Sequence, residues 1–114
     1  MKNNLIDINE STIKDYVEFK RPEDPEIRKQ LDLGYSYDGK VAILYEIRPI
    51  WRKPGEIQHI EFAKIRFYKS KQEWHLYWRR ANGKWDGYEP FPKATHLEKI
   101  IAVIEEDKHG CFYG

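Results

Sequence analysis

The chain is 114 residues long with a mass of 13.8 kDa, the size of one domain. Hydrophobic residues make up 40% and charged residues 34%, a balance that excludes disorder, which combines low hydrophobicity with high net charge. Lys and Arg total 20 against 19 Asp and Glu, so the net charge of +1 provides no global field, and any attraction to nucleic acid needs a local patch. The single cysteine, Cys111, excludes an intramolecular disulfide and cysteine-rich zinc sites, and it fits a reducing cytoplasm. The longest aliphatic run, residues 100–104, is far shorter than the roughly 20 residues of a membrane helix. Residues 1–7 lack the apolar stretch of a secretory signal, so a cytoplasmic location without membrane contact is expected.

The first third reads helical. Asn9 or Ser11 is expected to cap a helix whose apolar stripe is Ile13, Tyr16 and Val17, and Arg21-Pro22 stops it. Asp24-Pro25, a capping residue followed by proline at the first helical position, starts a short turn to about Gln30.

From Leu31 the hydrophobic period becomes two. Leu31, Leu33 and Tyr35 alternate before Ser36-Tyr37-Asp38-Gly39, and Val41, Ile43, Tyr45 and Ile47 alternate after it. A loop over residues 37–39 pairs Tyr35 with Val41 and Leu33 with Ile43, placing both apolar sets on one face. Pro49 and Pro54-Gly55 interrupt the pattern. A third strand covers 57–69, with Ala63, Ile65 and Phe67 in phase and a bulge near Phe62. Trp74, Leu76 and Trp78 mark a fourth strand, with Phe67 opposite Trp74. Asn82-Gly83 is a hairpin signal leading to a fifth strand over 84–88. Pro90 and Pro92 end the sheet. Thr95-His96-Leu97-Glu98 reads as a capping box before a helix with stripe Leu97, Ile100, Ile101 and Ile104, ended by Gly110.

The predicted fold is α+β in a single domain spanning 1–114. It has a helical segment over 1–30, a five-stranded antiparallel meander over 31–89, and a helix over 95–109 packed on one sheet face. The alternate strand residues then face outward: Lys40, Glu46 and Arg48, then Lys64, Arg66 and Tyr68, then His75, Tyr77 and Arg79, then Asp86 and Tyr88.

Cations interleaved with tyrosines suit single-stranded nucleic acid or another anionic ligand, rings stacking on bases while Lys and Arg hold phosphates. The plainer account is a solvated face, where such residues are common and cross-strand pairs like Arg79 with Asp86 neutralise each other. Asp38 with Glu46 and Arg48 also resembles the carboxylate set of metal-dependent nucleases, although Asp38 is explained equally by turn chemistry. His59, His75, His96 and His109 lack metal-ligand spacing. His75 beside Arg66 could serve acid–base chemistry or sit idle in solvent. Cys111 has no activating neighbour in sequence. Trp51, Trp85, Phe112 and Tyr113 are either core residues or anchors for a protein partner or a second copy of the chain.

Tyr45-Glu46-Ile47-Arg48-Pro49 with Trp51, Ala63-Lys64-Ile65-Arg66-Phe67 and Trp74-His75-Leu76-Tyr77-Trp78 occur in that order. Arg80-Ala81-Asn82-Gly83-Lys84-Trp85 with Tyr88 and the ending Asp107-Lys108-His109-Gly110-Cys111-Phe112-Tyr113-Gly114 follow. Together they resemble the bacterial family called domain of unknown function 3024, over residues 25–114. That family carries Asp-Arg-Asn-Gly at the hairpin and tryptophan before the final glycine. Arg80-Ala81-Asn82-Gly83 and Tyr113 stand here instead, so the chain resembles a divergent member. The resemblance implies a small bacterial cytoplasmic protein and brings no activity, cofactor or catalytic residue with it.

The leading functional expectation is a binding or interaction module without a cofactor or metal, using Arg48, Lys64, Arg66, Tyr68, His75, Tyr77, Arg79 and Tyr88. A metal-dependent nuclease built on Asp38 and Glu46 and a structural, self-associating protein are the alternatives.

Overall fold

The computed structural model describes residues 7–114. Helix α1 (Ile8–Lys20) begins where the Asp7 carboxylate accepts the Asn9 and Glu10 N–H groups at 2.9 and 3.2 Å. The cap thus lies before both Asn9 and Ser11. The apolar stripe locates only the packed part of the helix, and the first turn, with Ile8 exposed, lies in solvent ahead of it. Arg21 is extended, as a residue before proline must be, and ends the helix. Its guanidinium then grips the Asp32 carboxylate through two bonds of 2.8 and 2.9 Å, tying α1 to the start of the sheet. The short α2 (Pro25–Arg28) has Asp24 as its cap and proline at its first position, as expected.

The strands are β1 (Asp32–Tyr37), β2 (Val41–Pro49), β3 (Ile57–Tyr68), β4 (Glu73–Arg79), β5 (Trp85–Gly87) and β6 (Lys93–Ala94). They form one antiparallel sheet in the order β1-β2-β3-β4-β5, with β6 pairing the other part of the β4 edge. The five-stranded meander is present. The additional β6 forms although Pro92 precedes it, because proline lacks only the donor: its carbonyl still accepts the Leu76 N–H at 3.0 Å.

Two registers differ from expectation, and both matter for the surface. In the first hairpin Tyr37 pairs with Ala42 and Tyr35 with Leu44, not with Val41. The Asp38 carboxylate accepts the N–H groups of both Lys40 and Val41, at 2.9 and 2.7 Å, and this lengthens the turn. The phase of β2 is therefore inverted. Ala42 and Leu44 enter the core, while Val41, Ile43, Tyr45 and Ile47 face the other way. In the fourth hairpin Arg80 N–H bonds the Lys84 carbonyl at 2.8 Å, and Gly83 takes a φ of +84°, giving a loop one residue longer than a bare Asn-Gly turn. Arg79 then sits opposite Trp85, and Tyr88 turns inward to 2% exposure.

The middle of the sheet follows expectation. Phe67 pairs with Trp74, Ile65 with Leu76 and Ala63 with Trp78. The β2–β3 register skips Phe62 between the Leu44–Ala63 and Tyr45–Glu61 pairs, so both Phe62 and Ala63 are buried at the bulge.

Helix α3 (Leu97–Glu106) starts at His96 without a side-chain cap, so the capping box does not form. Thr95 directly follows β6 and stands one position too early. The helix ends at Asp107, in the left-handed conformation with φ 45°, rather than at Gly110. The Asp107 carboxylate accepts the N–H groups of Phe112, Tyr113 and Gly114, folding the tail back onto the core.

Ile13 and Val17 of α1 and Leu97, Ile100 and Ile104 of α3 share one core with Leu44, Ile65, Leu76 and Phe112. Both helices lie on the same sheet face. Among the described residues no helix packs on the other.

The inverted β2 phase has a direct test in urea unfolding. Leu44→Ala is expected to cost about 2–5 kcal/mol, as for a fully buried leucine. Ile43→Ala on the uncovered face should cost less than half of that; the reverse ranking would show that β2 is in the opposite phase.

Candidate ligand-binding face

The uncovered face is assembled by the β3–β4 register, which sets Lys64 beside Tyr77, Arg66 beside His75 and Tyr68 beside Glu73. The Tyr68 and Tyr77 hydroxyls hydrogen-bond to each other at 3.0 Å. The Arg66 guanidinium carbon lies 5.0 Å from the Tyr68 ring centre and the Lys64 ammonium 5.3 Å from that of Tyr77. The His75 ring packs against Tyr68 with centroids 4.4 Å apart, and its Nε2 is 3.3 Å from Glu73. His75 and Lys93 hold the Glu73 carboxyl below its ordinary range, the hydrogen bond from His75 contributing most. Arg79 bonds Glu61 at 3.0 Å and lies 5.8 Å from the Trp85 ring. Among the described residues neither Lys64 nor Arg66 has a carboxylate within salt-bridge distance.

Lys64, Arg66, Tyr68, His75, Tyr77 and Arg79 therefore share the face predicted for them. Arg48 and Tyr88 do not. Arg48 has the phase of Leu44 and bonds Glu46 at 2.9 Å, so the longer Asp38 turn carries it to the helix side. Tyr88 packs on Phe112, with ring centroids 5.0 Å apart, because of the extra loop residue. Glu46 likewise moves to the helix side, where its charge adds a little to the rise of the Tyr113 phenol that burial mainly causes. Asp86 pairs with Arg80 rather than Arg79.

In their place the face gains Trp85 and the side chains of Val41, Ile43, Tyr45 and Ile47. The Tyr45 ring lies on Gly34, where a Cβ would approach it to 2.7 Å, and stacks on His59 at 4.2 Å. A glycine inside a strand was the sequence signal for this close approach.

The nuclease set is not assembled. The Asp38 carboxylate is bound by backbone N–H groups, which hold it below the usual carboxylate range. From Val41 to Glu46 the strand runs roughly 17 Å, at about 3.3 Å per residue, so the two acids cannot share an ion. No cluster of at least three His, Cys, Asp or Glu among the described residues is placed to hold a metal. Cys111 is half-buried, and burial pushes its thiol up. Phe112 is buried in the core and Tyr113 is partly buried against it. Trp51, on the loop between β2 and β3, is 80% exposed with Arg52 stacked 4.2 Å from its ring.

The family model described as domain of unknown function (DUF3024) matches residues 1–114. The chain belongs to that family. No curated protein matches it, and no solved structure does. In this DUF3024 member no helix of the described residues is long and apolar enough to cross a membrane.

Burial, reinforced by the Tyr68 hydroxyl, pushes Tyr77 from 10.0 up to about 12. A raised folded-state value means the neutral phenol favours the fold fully below pH 10 and that this contribution is lost as pH rises through about 12. Unfolding free energy should therefore fall across that window, and fall less in Tyr77→Phe. Parallel curves for the two proteins would show that Tyr77 titrates normally.

Proposed function

We propose that this chain is a cytoplasmic binding module that takes an anionic ligand on its uncovered sheet face, single-stranded nucleic acid being the best fit. The observation that carries the proposal is the pair Lys64 and Arg66: two cations that, among the described residues, have no carboxylate partner and lie over Tyr77 and Tyr68 on a face that carries no helix. Phosphates need cations that are not already neutralised, and bases need aromatic surfaces beside them. An open sheet face accepts an extended strand more readily than a duplex, whose bases are stacked away from protein rings. The aliphatic half of the face, Val41, Ile43 and Ile47, offers apolar contact to sugars and base edges. The role assigned to the chain is retention of a ligand, since the hydrogen-bonded carboxylates Glu61 and Glu73 are each engaged by a neighbouring cation.

The test is fluorescence anisotropy of a labelled short single strand over a range of salt. Affinity should fall with salt at a log–log slope of roughly −0.7 per phosphate contact. Lys64→Glu with Arg66→Glu should weaken binding at least tenfold and flatten that slope. Tyr77→Ala should cost about 1–3 kcal/mol of binding if a base stacks there, while Tyr77→Phe retains most of it. Binding unchanged by the double charge reversal would overturn the proposal.

A further inference from the structure

The face is not evenly charged along its length. At the end formed by the β1–β2 and β3–β4 turns there is a cleft of about 400 Å³, bounded by Lys40, Arg66, Tyr68, Lys69, Ser70 and Gln72. Three of these residues are cations, and among the described residues no carboxylate lines the cleft. Backbone bonding fixes its walls: Phe67 N–H donates to the Lys40 carbonyl at 2.8 Å, and the Gln72 side-chain amide donates to the Lys69 carbonyl at 2.8 Å. Among the described residues Lys40, Arg66 and Lys69 make no ion pair. Of the acids nearest in the chain, Glu73 is engaged by His75 and Lys93, while the Asp38 carboxylate is held low chiefly by the Val41 and Lys40 N–H groups and also feels the Lys40 charge.

From this we infer that the cleft binds a phosphate monoester at the end of a nucleic-acid strand, so that the module recognises phosphorylated ends rather than the interior of a strand. The inference rests on the nucleic-acid reading of the face and names the part of the ligand that this end selects. An internal phosphodiester carries one negative charge, whereas a monoester carries about 1.5 to 2 near neutral pH and has three acceptor oxygens. Three cations along one cleft, with no carboxylate in its lining among the described residues, match the second better than the first. Arg66 belongs both to the cleft and to the stack on Tyr68, so a terminal phosphate held at Lys40 and Lys69 delivers the first base to the Tyr68 and Tyr77 rings. The volume is within the range of small-ligand pockets and fits a phosphate with its sugar.

The experiment compares one short labelled single strand in three forms: 5′-phosphorylated, 3′-phosphorylated and hydroxyl at both ends. The full chain is titrated against each at fixed ionic strength. One phosphorylated form should bind at least fivefold more tightly than the hydroxyl form, and inorganic phosphate should compete for that advantage. In Lys40→Met with Lys69→Met, both exposed turn residues whose side chains make no hydrogen bond or ion pair among the described residues, the advantage should vanish while the hydroxyl form still binds. Equal affinity for all three forms would overturn the inference and leave the face reading intact. An advantage that survives in the double variant would also overturn it, by placing the phosphate contact elsewhere. Absence of binding by every form would overturn both readings together.

Discussion

The aliphatic half of the uncovered face depends on the turn that Asp38 organises. Its carboxylate accepts two backbone N–H groups that would otherwise be unpaired, and this settles which of two equally apolar sets in β2 meets the helices. With Tyr37 opposite Ala42, the small Ala42 and the fully buried Leu44 lie under the helices. Val41, Ile43 and Ile47 are then displaced to the side that carries Lys64, Arg66 and the two tyrosines. A slip of one residue would exchange these sets and take the aliphatic half of the face with it. Asp38 is thus a structural carboxylate with an indirect hold on the surface that the adjoining β2 contributes.

The opposite side is secured by a second carboxylate. Asp107 ends α3 in a left-handed conformation and gathers the last three backbone N–H groups, directing Phe112 into the core and Tyr113 against α1. There the Tyr113 and Tyr16 hydroxyls meet at 2.6 Å, Tyr16 donates to Glu105 at 2.8 Å, and Lys20 pairs with Glu105 at 3.1 Å. Burial pushes both phenols up, Tyr113 to about 12, so the cluster is built for neutral phenols around one anionic carboxylate. Helix, tail and helix are joined on one side of the sheet, and a one-sided layer is the result.

How much of this was legible follows from where the hydrophobic code was single-valued. In β3 and β4 only one phase is apolar, Ala63, Ile65 and Phe67 opposite Trp78, Leu76 and Trp74, and both the register and the Phe62 bulge could be read from it. The candidate residues on these strands, Lys64, Arg66, Tyr68, His75, Tyr77 and Arg79, were placed correctly for the same reason. In β2 the run Val41-Ala42-Ile43-Leu44 is apolar in both phases, so alternation carried no information and turn length decided. Arg48 and Glu46 were misplaced with it. Tyr88 was lost to a single loop residue, since Asn82-Gly83 serves loops of two lengths whose strands differ in phase. Thr95 and Gly110 have the composition of helix ends, but β6 and the Asp107 carboxylate determine where α3 starts and stops.

A chain with a net charge of +1 can still present a concentrated positive site, and the outer face illustrates the physical condition for it. Screening limits an exposed charge to about 8 Å at physiological salt, so a bound phosphate responds to its immediate neighbours and not to the total of 19 acids. Around Lys64 and Arg66 those neighbours are phenol rings. An ion pair would order a cation and cancel it at once, whereas a ring holds the cation through its quadrupole and leaves the full charge directed outward. Glu61 and Glu73, the acids on either side along β3 and β4, are engaged by Arg79, His75 and Lys93, so their fields are offset locally. Replacing Tyr68 or Tyr77 by a carboxylate would leave the net charge of the protein nearly unchanged, yet it would place an anion where each cation now finds only a ring. The spacing of aromatics against cations, more than the count of charges, gives this face its capacity to hold an anion.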